Sequence, residues 1–255
     1  FQEHRVPLSP MAVQLLCKQG HSVKIESGCG DKANFTDLDY SSMGAELMHD
    51  KKEIYDCDII IKIAPPTEDE IDLMKPGQIL ISAIQLVRAK EVTFKKMLAK
   101  GITAIGFEFL RDDDGSLPVI RSMSEIAGRA SVLIAAEYLS NYNSGKGELF
   151  GGIPGIQPTQ IVIIGAGAVG EYAIKAAIGL GASVKVFDNS TEKLRRLEKS
   201  LGTRVHSSTL IPQILAKALA DCDVAIGALR SPLGLSPCVV TEEMVSNMRP
   251  KSIIV

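Results

Sequence analysis

The residues best placed to do chemistry lie between positions 165 and 170: Gly165-Ala166-Gly167-Ala168-Val169-Gly170. They follow four branched apolar residues, Ile161 to Ile164, and open a helical pattern that runs to Leu180. Three glycines so spaced between a strand and a helix suit a dinucleotide pyrophosphate. Gly165 makes the tight turn, Gly167 lets the phosphates approach the backbone, and Gly170 lets helix and sheet pack closely. Ala168 and Val169 start the helix, whose unpaired amides and dipole favour phosphate. Asp188 stands 23 residues after Gly165, at the end of the next strand pattern. A carboxylate there accepts both adenosine ribose hydroxyls and repels a 2′-phosphate, which selects NAD over NADP. Asn189, Ser208, Gly227, Ala228 and Leu229 follow the second, third and fourth strands of the same half and are expected around the cofactor. A turn that had lost its ligand is expected to carry a bulky residue at one of the three glycine positions, and none does.

The first half offers cations. Arg5 presents a planar fork suited to a carboxylate. Lys62 interrupts the run Ile59, Ile60, Ile61 and Ile63, where a charge is costly unless it binds something or reaches the strand's end and solvent. Ser124 stands where a long Ala- and Leu-rich helix is expected to begin, as its N-cap. Lys193, Arg195 and Arg196 read as a solvated helix face. Asp112-Asp113-Asp114-Gly115 reads as a solvated turn, because the alternating ligands and terminal Glu of a calcium loop are missing. No metal site is expected.

These residues need a scaffold, and the hydrophobic pattern supplies one. Helices are expected at Ser9 to Gly20, through Ile71 and Leu73, at Val92 to Leu98 and at Ser124 to Tyr142. Strands are expected at His21 to Glu26, Ile59 to Ile63 (a continuous, buried run), Gln78 to Ala83 and Gly101 to Phe107. His49 falls on an expected exposed helix. After the glycine-rich stretch Gly145 to Gly155, a linker by composition, strands and helices alternate again to Val255. The expected fold is α/β: two Rossmann-like domains with parallel sheets, each a three-layer αβα arrangement, joined by a long helix. Residues 1–128 form the substrate domain and 129–255 the NAD domain with its linker helix. Residue 1 is Phe and the last residues are an apolar run, so a longer protein is expected at both ends.

Composition excludes several functions. The 28 Lys and Arg nearly balance the 30 Asp and Glu, so no basic field exists for nucleic acid or anionic lipid. No apolar run is long enough to span a bilayer. Five cysteines without a C-x-x-C read as reduced thiols, which places the protein in the cytoplasm.

Several stretches carry a resemblance: Arg5-Val6-Pro7-Leu8-Ser9-Pro10, Gly20-His21-Ser22-Val23-Lys24-Ile25-Glu26, Met123-Ser124-Glu125-Ile126-Ala127-Gly128-Arg129, Gly151-Gly152-Ile153-Pro154-Gly155, and Ile226-Gly227-Ala228 with Pro232 and Pro237. Over nearly its whole length the chain resembles the family of alanine dehydrogenase and the NAD-binding subunit of proton-translocating nicotinamide nucleotide transhydrogenase, with saccharopine dehydrogenases more distant. The resemblance implies a small amino or keto acid in the first domain, bound by Arg5 and Lys62, and NAD in the second. It implies that Ser124 contacts nicotinamide or substrate, that the protein is a hexamer or dimer, and that a catalytic aspartate lies beyond Val255.

Two departures divide that family. The dehydrogenases carry a proton-transferring histidine where this chain has Gln85, and an amide is neither acid nor base near pH 7. The transhydrogenase subunits carry glutamine in this region, but they also have an R-Q-D loop and an A-G-Y in place of Ala127-Gly128-Arg129. Arg230, in Leu229 to Gly234, is a long cation near the expected nicotinamide end. The expected reaction is NAD-dependent deamination of L-alanine to pyruvate and ammonia. The alternatives are transhydrogenation and NAD binding without turnover.

Overall fold

The computed structural model describes residues 3–86, 90–141, 144–229 and 238–255. The expectations for Tyr142, Arg230, Pro232 and Pro237, and for the loop from 230 to 234, lie outside those residues. By its internal contacts the chain divides into two compact units, Phe1–Val119 and Ile120–Val255. Both are α/β with parallel sheets in three layers.

In the first unit, helix α1 (Pro10–Lys18) starts as its sequence requires: Ser9 accepts the Ala12 amide and Pro10 takes the first turn. There follow β1 (Lys24–Glu26), α2 (Asp37–Ser42), β2 (Glu46–Met48), α3 (Lys51–Tyr55), β3 (Ile59–Ile61), α4 (Glu68–Leu73), β4 (Ile79–Ser82), α5 (Glu91–Ala99) and β5 (Thr103–Gly106). Strands β1 and β2 pair in parallel, and β3, β4 and β5 form a second parallel sheet in that order. Tyr55, Ile60, Ile71, Leu80 and Met97 pack together around that second sheet.

Two expectations are corrected here. His49 is not helical but sits in a bend directly after β2. The run from Ile59 is not buried throughout: it ends at Ile61, and only Ile60 points into the core, Ile59 being 47% and Ile61 36% exposed. As the first strand of its sheet, β3 follows the two-residue alternation of a half-covered strand.

In the second unit, α6 (Pro118–Leu139, its first two residues belonging to the first unit) leads to β6 (Gln160–Ile164), α7 (Ala168–Gly179), β7 (Ser183–Phe187), α8 (Thr191–Leu201), β8 (His206–Ser208), α9 (Pro212–Ala220), β9 (Val224–Gly227), α10 (Glu242–Ser246) and β10 (Ile253–Ile254). The sheet is parallel throughout, in the order β10-β9-β6-β7-β8. This is the doubly wound dinucleotide order, with β6 as its first strand. Ile161, Ile163 and Val186 face α6, α7 and α8 through Val132, Leu139, Ile174 and Leu197. Val162, Ile164 and Phe187 face α9 through Leu215 and Leu219. Each such fully buried aliphatic side chain contributes about 1.5–3 kcal/mol.

Helix α6 starts earlier than Ser124. Pro118 takes its first position, and the Ser124 hydroxyl, well inside the helix, donates to the Ile120 carbonyl at 2.8 Å instead of capping. Gly128 sets the crossing of α6 on α7, since a Cβ there would overlap the Val169 carbonyl oxygen and lie 2.9 Å from the Ala173 nitrogen. The stretch 145–155 lies inside the second unit and is not a loose linker. Its glycines serve close packing: a Cβ on Gly145 would overlap the Tyr138 carbonyl, and one on Gly151, at φ +102°, the Leu180 carbonyl. Among the described residues no helix is long and apolar enough to cross a membrane.

Candidate functional site

Strand β6 delivers the chain to Gly165 between β7 and β9, where the strand order reverses, the place at which sheets of this kind bind ligands beyond the carboxyl ends of their strands. Gly165 adopts φ +119°, and a Cβ there would lie 2.5 Å from the Ala228 carbonyl oxygen. Its amide donates to Phe187 at 2.7 Å, and the Ala228 amide donates to Ile164 at 2.7 Å, so three strand ends are stitched at one point. A Cβ on Gly170 would overlap the Gly165 carbonyl oxygen, whereas one on Gly167 would meet nothing within 4 Å. Gly165 and Gly170 are therefore required by the protein's own packing. Gly167 faces open space at the start of α7, which it caps without a side chain to occupy the first-turn amides. Ala168 and Val169 are the first two residues of that helix. This is a cradle a side chain would fill and a pyrophosphate fits.

Asp188 is 4% exposed and belongs to the cradle. Its Oδ2 accepts the Ala166 amide at 2.8 Å and its Oδ1 the Ser190 amide at 2.8 Å. Lys193 approaches Oδ2 at 3.8 Å, so it is not purely a solvated residue. The Asn189 side chain accepts the Leu210 amide at 3.2 Å, and the Ser208 carbonyl accepts the Asp188 amide at 3.1 Å. The Gly227 amide donates to Val255 at 2.8 Å, and Leu229 packs against the apolar layer under α9. The glycine turn, Asp188 and Ala228 are thus directly joined, while Asn189, Ser208 and Gly227 brace the strand ends around them. Arg129 stacks over the Tyr172 ring at 5.2 Å, with Lys175 at 5.0 Å from the same ring, so the arginine after Gly128 anchors α6 on α7.

A second cavity, of about 380 Å³, lies in the first unit and is lined by Arg5 and Lys62 together. Both already have counter-charges. Arg5 clasps Glu3 with two bonds of 2.7 Å, and that clasp holds the Glu3 carboxyl down at about 2. Lys62 meets Glu70 Oε2 at 2.5 Å, with side chains only 20% and 17% exposed. Glu70 also accepts the Thr67 amide at 2.8 Å as the third helical residue of a capping box on α4. Burial pushes the Glu70 carboxyl up, but the bonds from Lys62 and Thr67 outweigh it and leave the group below the usual range. The phenol of Tyr55 is pushed up by burial and by the Glu70 carboxylate. Sequence reasoning missed Glu3, Glu70 and Tyr55. The spacing Thr67-x-x-Glu70 signalled the cap, and no local pattern could signal the lysine it reaches.

Gln85 lies elsewhere in the first unit, on the loop after β4, at φ +49° in the left-handed region. Glu108 holds it there: one carboxylate oxygen accepts the Ile84 amide at 2.9 Å and the Gln85 amide at 2.7 Å. The other oxygen of Glu108 and the hydroxyl of Ser82 are buried without a partner among the described residues. The turn at 112–115 closes on itself through the Gly115 amide and the Asp112 carbonyl at 2.8 Å.

Residues 1–127 match the family profile "Alanine dehydrogenase/PNT, N-terminal domain", and residues 131–255 match "Alanine dehydrogenase/PNT, C-terminal domain". An alanine dehydrogenase of Methanococcus maripaludis is 40% identical over 254 residues, which span 99% of this chain and 68% of that protein. One from Staphylococcus saprophyticus is 37% identical over 253 residues, with the same two coverages of 99% and 68%. Among solved structures, an L-alanine dehydrogenase superposes with a TM-score of 0.91 at 38% identity, over 99% of this chain and 70% of that one. A transhydrogenase from Sinorhizobium meliloti superposes at 0.85 with 26% identity, over 99% and 74%.

Proposed function

The chain belongs to the alanine dehydrogenase/PNT family of NAD-binding oxidoreductases, and from that premise we propose that it oxidises L-alanine to pyruvate and ammonia with NAD. The observation that carries this reading is the cradle of Gly165, Gly167 and Gly170 clasped by Asp188. It supports a dinucleotide with a free adenosine ribose, because a 2′-phosphate would meet a buried carboxylate. Bound NAD supplies the hydride acceptor. The chain's own residues bind and orient the reactants, while water takes the amine proton and supplies the carbonyl oxygen of pyruvate. The first-turn amides of α7 and the bare backbone at Gly167 take the pyrophosphate. Lys62 and Arg5 orient the substrate carboxylate, Lys62 from its place beside Glu70 and Arg5 by exchanging Glu3 for the substrate. Gln85 donates and accepts hydrogen bonds without changing protonation, so it moves no proton. Steady-state NADH formation across a panel of amino acids tests the proposal. Alanine is expected to react fastest, and absence of turnover with every amino acid overturns it.

One observation favours a second reading. An amide at position 85 suits direct hydride exchange between two nucleotides, which needs no acid or base. Hydride transfer from NADH to an NADP analogue, on adding a second nucleotide-binding subunit, would favour transhydrogenation.

A further inference from the structure

We propose that Glu70 is the positioning residue for Lys62, fixing its ammonium in the first-unit cavity as the cation that receives a monocarboxylate ligand. The ligand's identity as a 2-oxo acid rests on the dehydrogenase reading above, but the role of Glu70 does not.

Lys62 stands one residue beyond β3, where its charge is four-fifths buried and must have a partner. Among the described residues its ammonium bonds Glu70 alone, which leaves two of its three N–H donors for a ligand. The same Glu70 oxygen completes the α4 cap. A cap needs only an acceptor, and glutamine serves that purpose equally. A full charge is what the lysine requires. Helix α4 thus brings a carboxylate, fixed by the Thr67 amide, to the cavity wall, and that carboxylate holds the ammonium there.

The rest of the lining agrees with an anionic ligand. Arg5 and Glu3 face the cavity from the N-terminal segment, Lys24 and Glu26 from β1, and Lys51 from α3. With Lys62 and Glu70 this makes four cations against three carboxylates, so one positive charge is in excess, the complement of a monoanionic 2-oxo acid. Cys29, Tyr40 and Tyr55 are the remaining ionisable groups of the lining. Burial raises each of them, so they stay neutral near pH 7 and leave the excess to Lys62 and its neighbours.

The test is pyruvate affinity by calorimetry, with NADH present, on the wild type and three variants. Glu70→Gln is expected to weaken pyruvate about tenfold, because a neutral amide no longer holds the Lys62 ammonium at the cavity wall. Glu70→Asp is expected to restore most of that loss. Thr67→Ala breaks the cap from its other side; it is expected to lower Tm while leaving the affinity alone. The proposal is overturned if Glu70→Gln binds as the wild type does, if Thr67→Ala reproduces the Glu70→Gln effect, or if the wild type takes up no pyruvate. Amino-acid oxidation assayed alongside separates the two readings. Glu70-dependent pyruvate binding without any turnover refutes the dehydrogenase and leaves Glu70 standing; alanine turnover insensitive to Glu70→Gln does the reverse.

Discussion

The carboxylate of Asp188 accepts the amide of Ala166 at 2.8 Å, across 22 residues of sequence. A residue expected to grip the adenosine sugar is thus also a clamp on the glycine turn, while its second oxygen holds Ser190. A carboxylate has about four acceptor sites, so both amide bonds leave capacity for ribose hydroxyls. Asp188→Ala is expected to orphan two amides at about 1–3 kcal/mol each. Tm should fall and the Kd for NAD should rise well beyond tenfold. Asp188→Asn retains one acceptor and should fall between. Thermal melts and calorimetric titration with NAD check both.

The three glycines should separate by experiment. Gly167→Ala places a methyl group in open space, so the expected result is an unchanged Tm with NAD affinity lost. Gly165→Ala and Gly170→Ala collide with the backbone and should lower Tm and affinity together. An unaffected NAD titration for Gly167→Ala would remove the pyrophosphate from that cradle.

How much of this was legible depended on the range of the interaction. The strand–glycine–helix unit and Asp188 could be read because each glycine's reason is local or follows from a strand end. The cap at Ser9 could be read for the same reason. Ser124 was misplaced because Pro118, a helix starter six residues earlier, outranks a serine that can bond inside a helix. Within 37–55 only a helix at His49 was expected, and wrongly, because α2, β2 and α3 are only three to six residues long, too short for a hydrophobic period to appear. Gly145 and Gly151 looked flexible because composition cannot distinguish a glycine that bends freely from one pressed against a carbonyl. The pairings of Arg5 with Glu3 and of Lys62 with Glu70 were beyond reach, since side-chain partners follow from the folded backbone.

Asp223 carries a stability prediction with a definite sign. It is buried, pairs with Lys146 at 2.8 Å and Arg249 at 3.1 Å, and accepts the Gln160 amide at 2.9 Å. Burial pushes its carboxyl up, but those partners outweigh it and leave the group below the usual carboxylate range. Its contribution is therefore full above the unfolded value of about 4 and is lost as pH falls through the lower folded value. Asp223→Asn should cost about 3 kcal/mol at pH 7 and flatten the acid limb of the stability–pH curve. Urea unfolding at a series of pH values measures it.

Gln85 is testable by restoring chemistry. Gln85→His places an imidazole on a backbone fixed by Glu108. The expected result is a kcat for alanine at least tenfold higher, with a new dependence on a group near pH 6.5. An unchanged kcat with unchanged pH profile would mean that residue 85 does not face the reacting carbon. Glu108→Ala should abolish any gain, because φ +49° at residue 85 would lose its support.

The clip at Asp223 has a consequence for how the second unit comes apart. One side chain fastens the glycine-rich arm through Lys146, the entry to β6 through Gln160 and the approach to β10 through Arg249. Segments a hundred residues apart in sequence are thereby denied independent fraying. Hydrogen exchange should find them opening as a single cooperative block, with one shared protection energy where three flexible loops would each have shown their own.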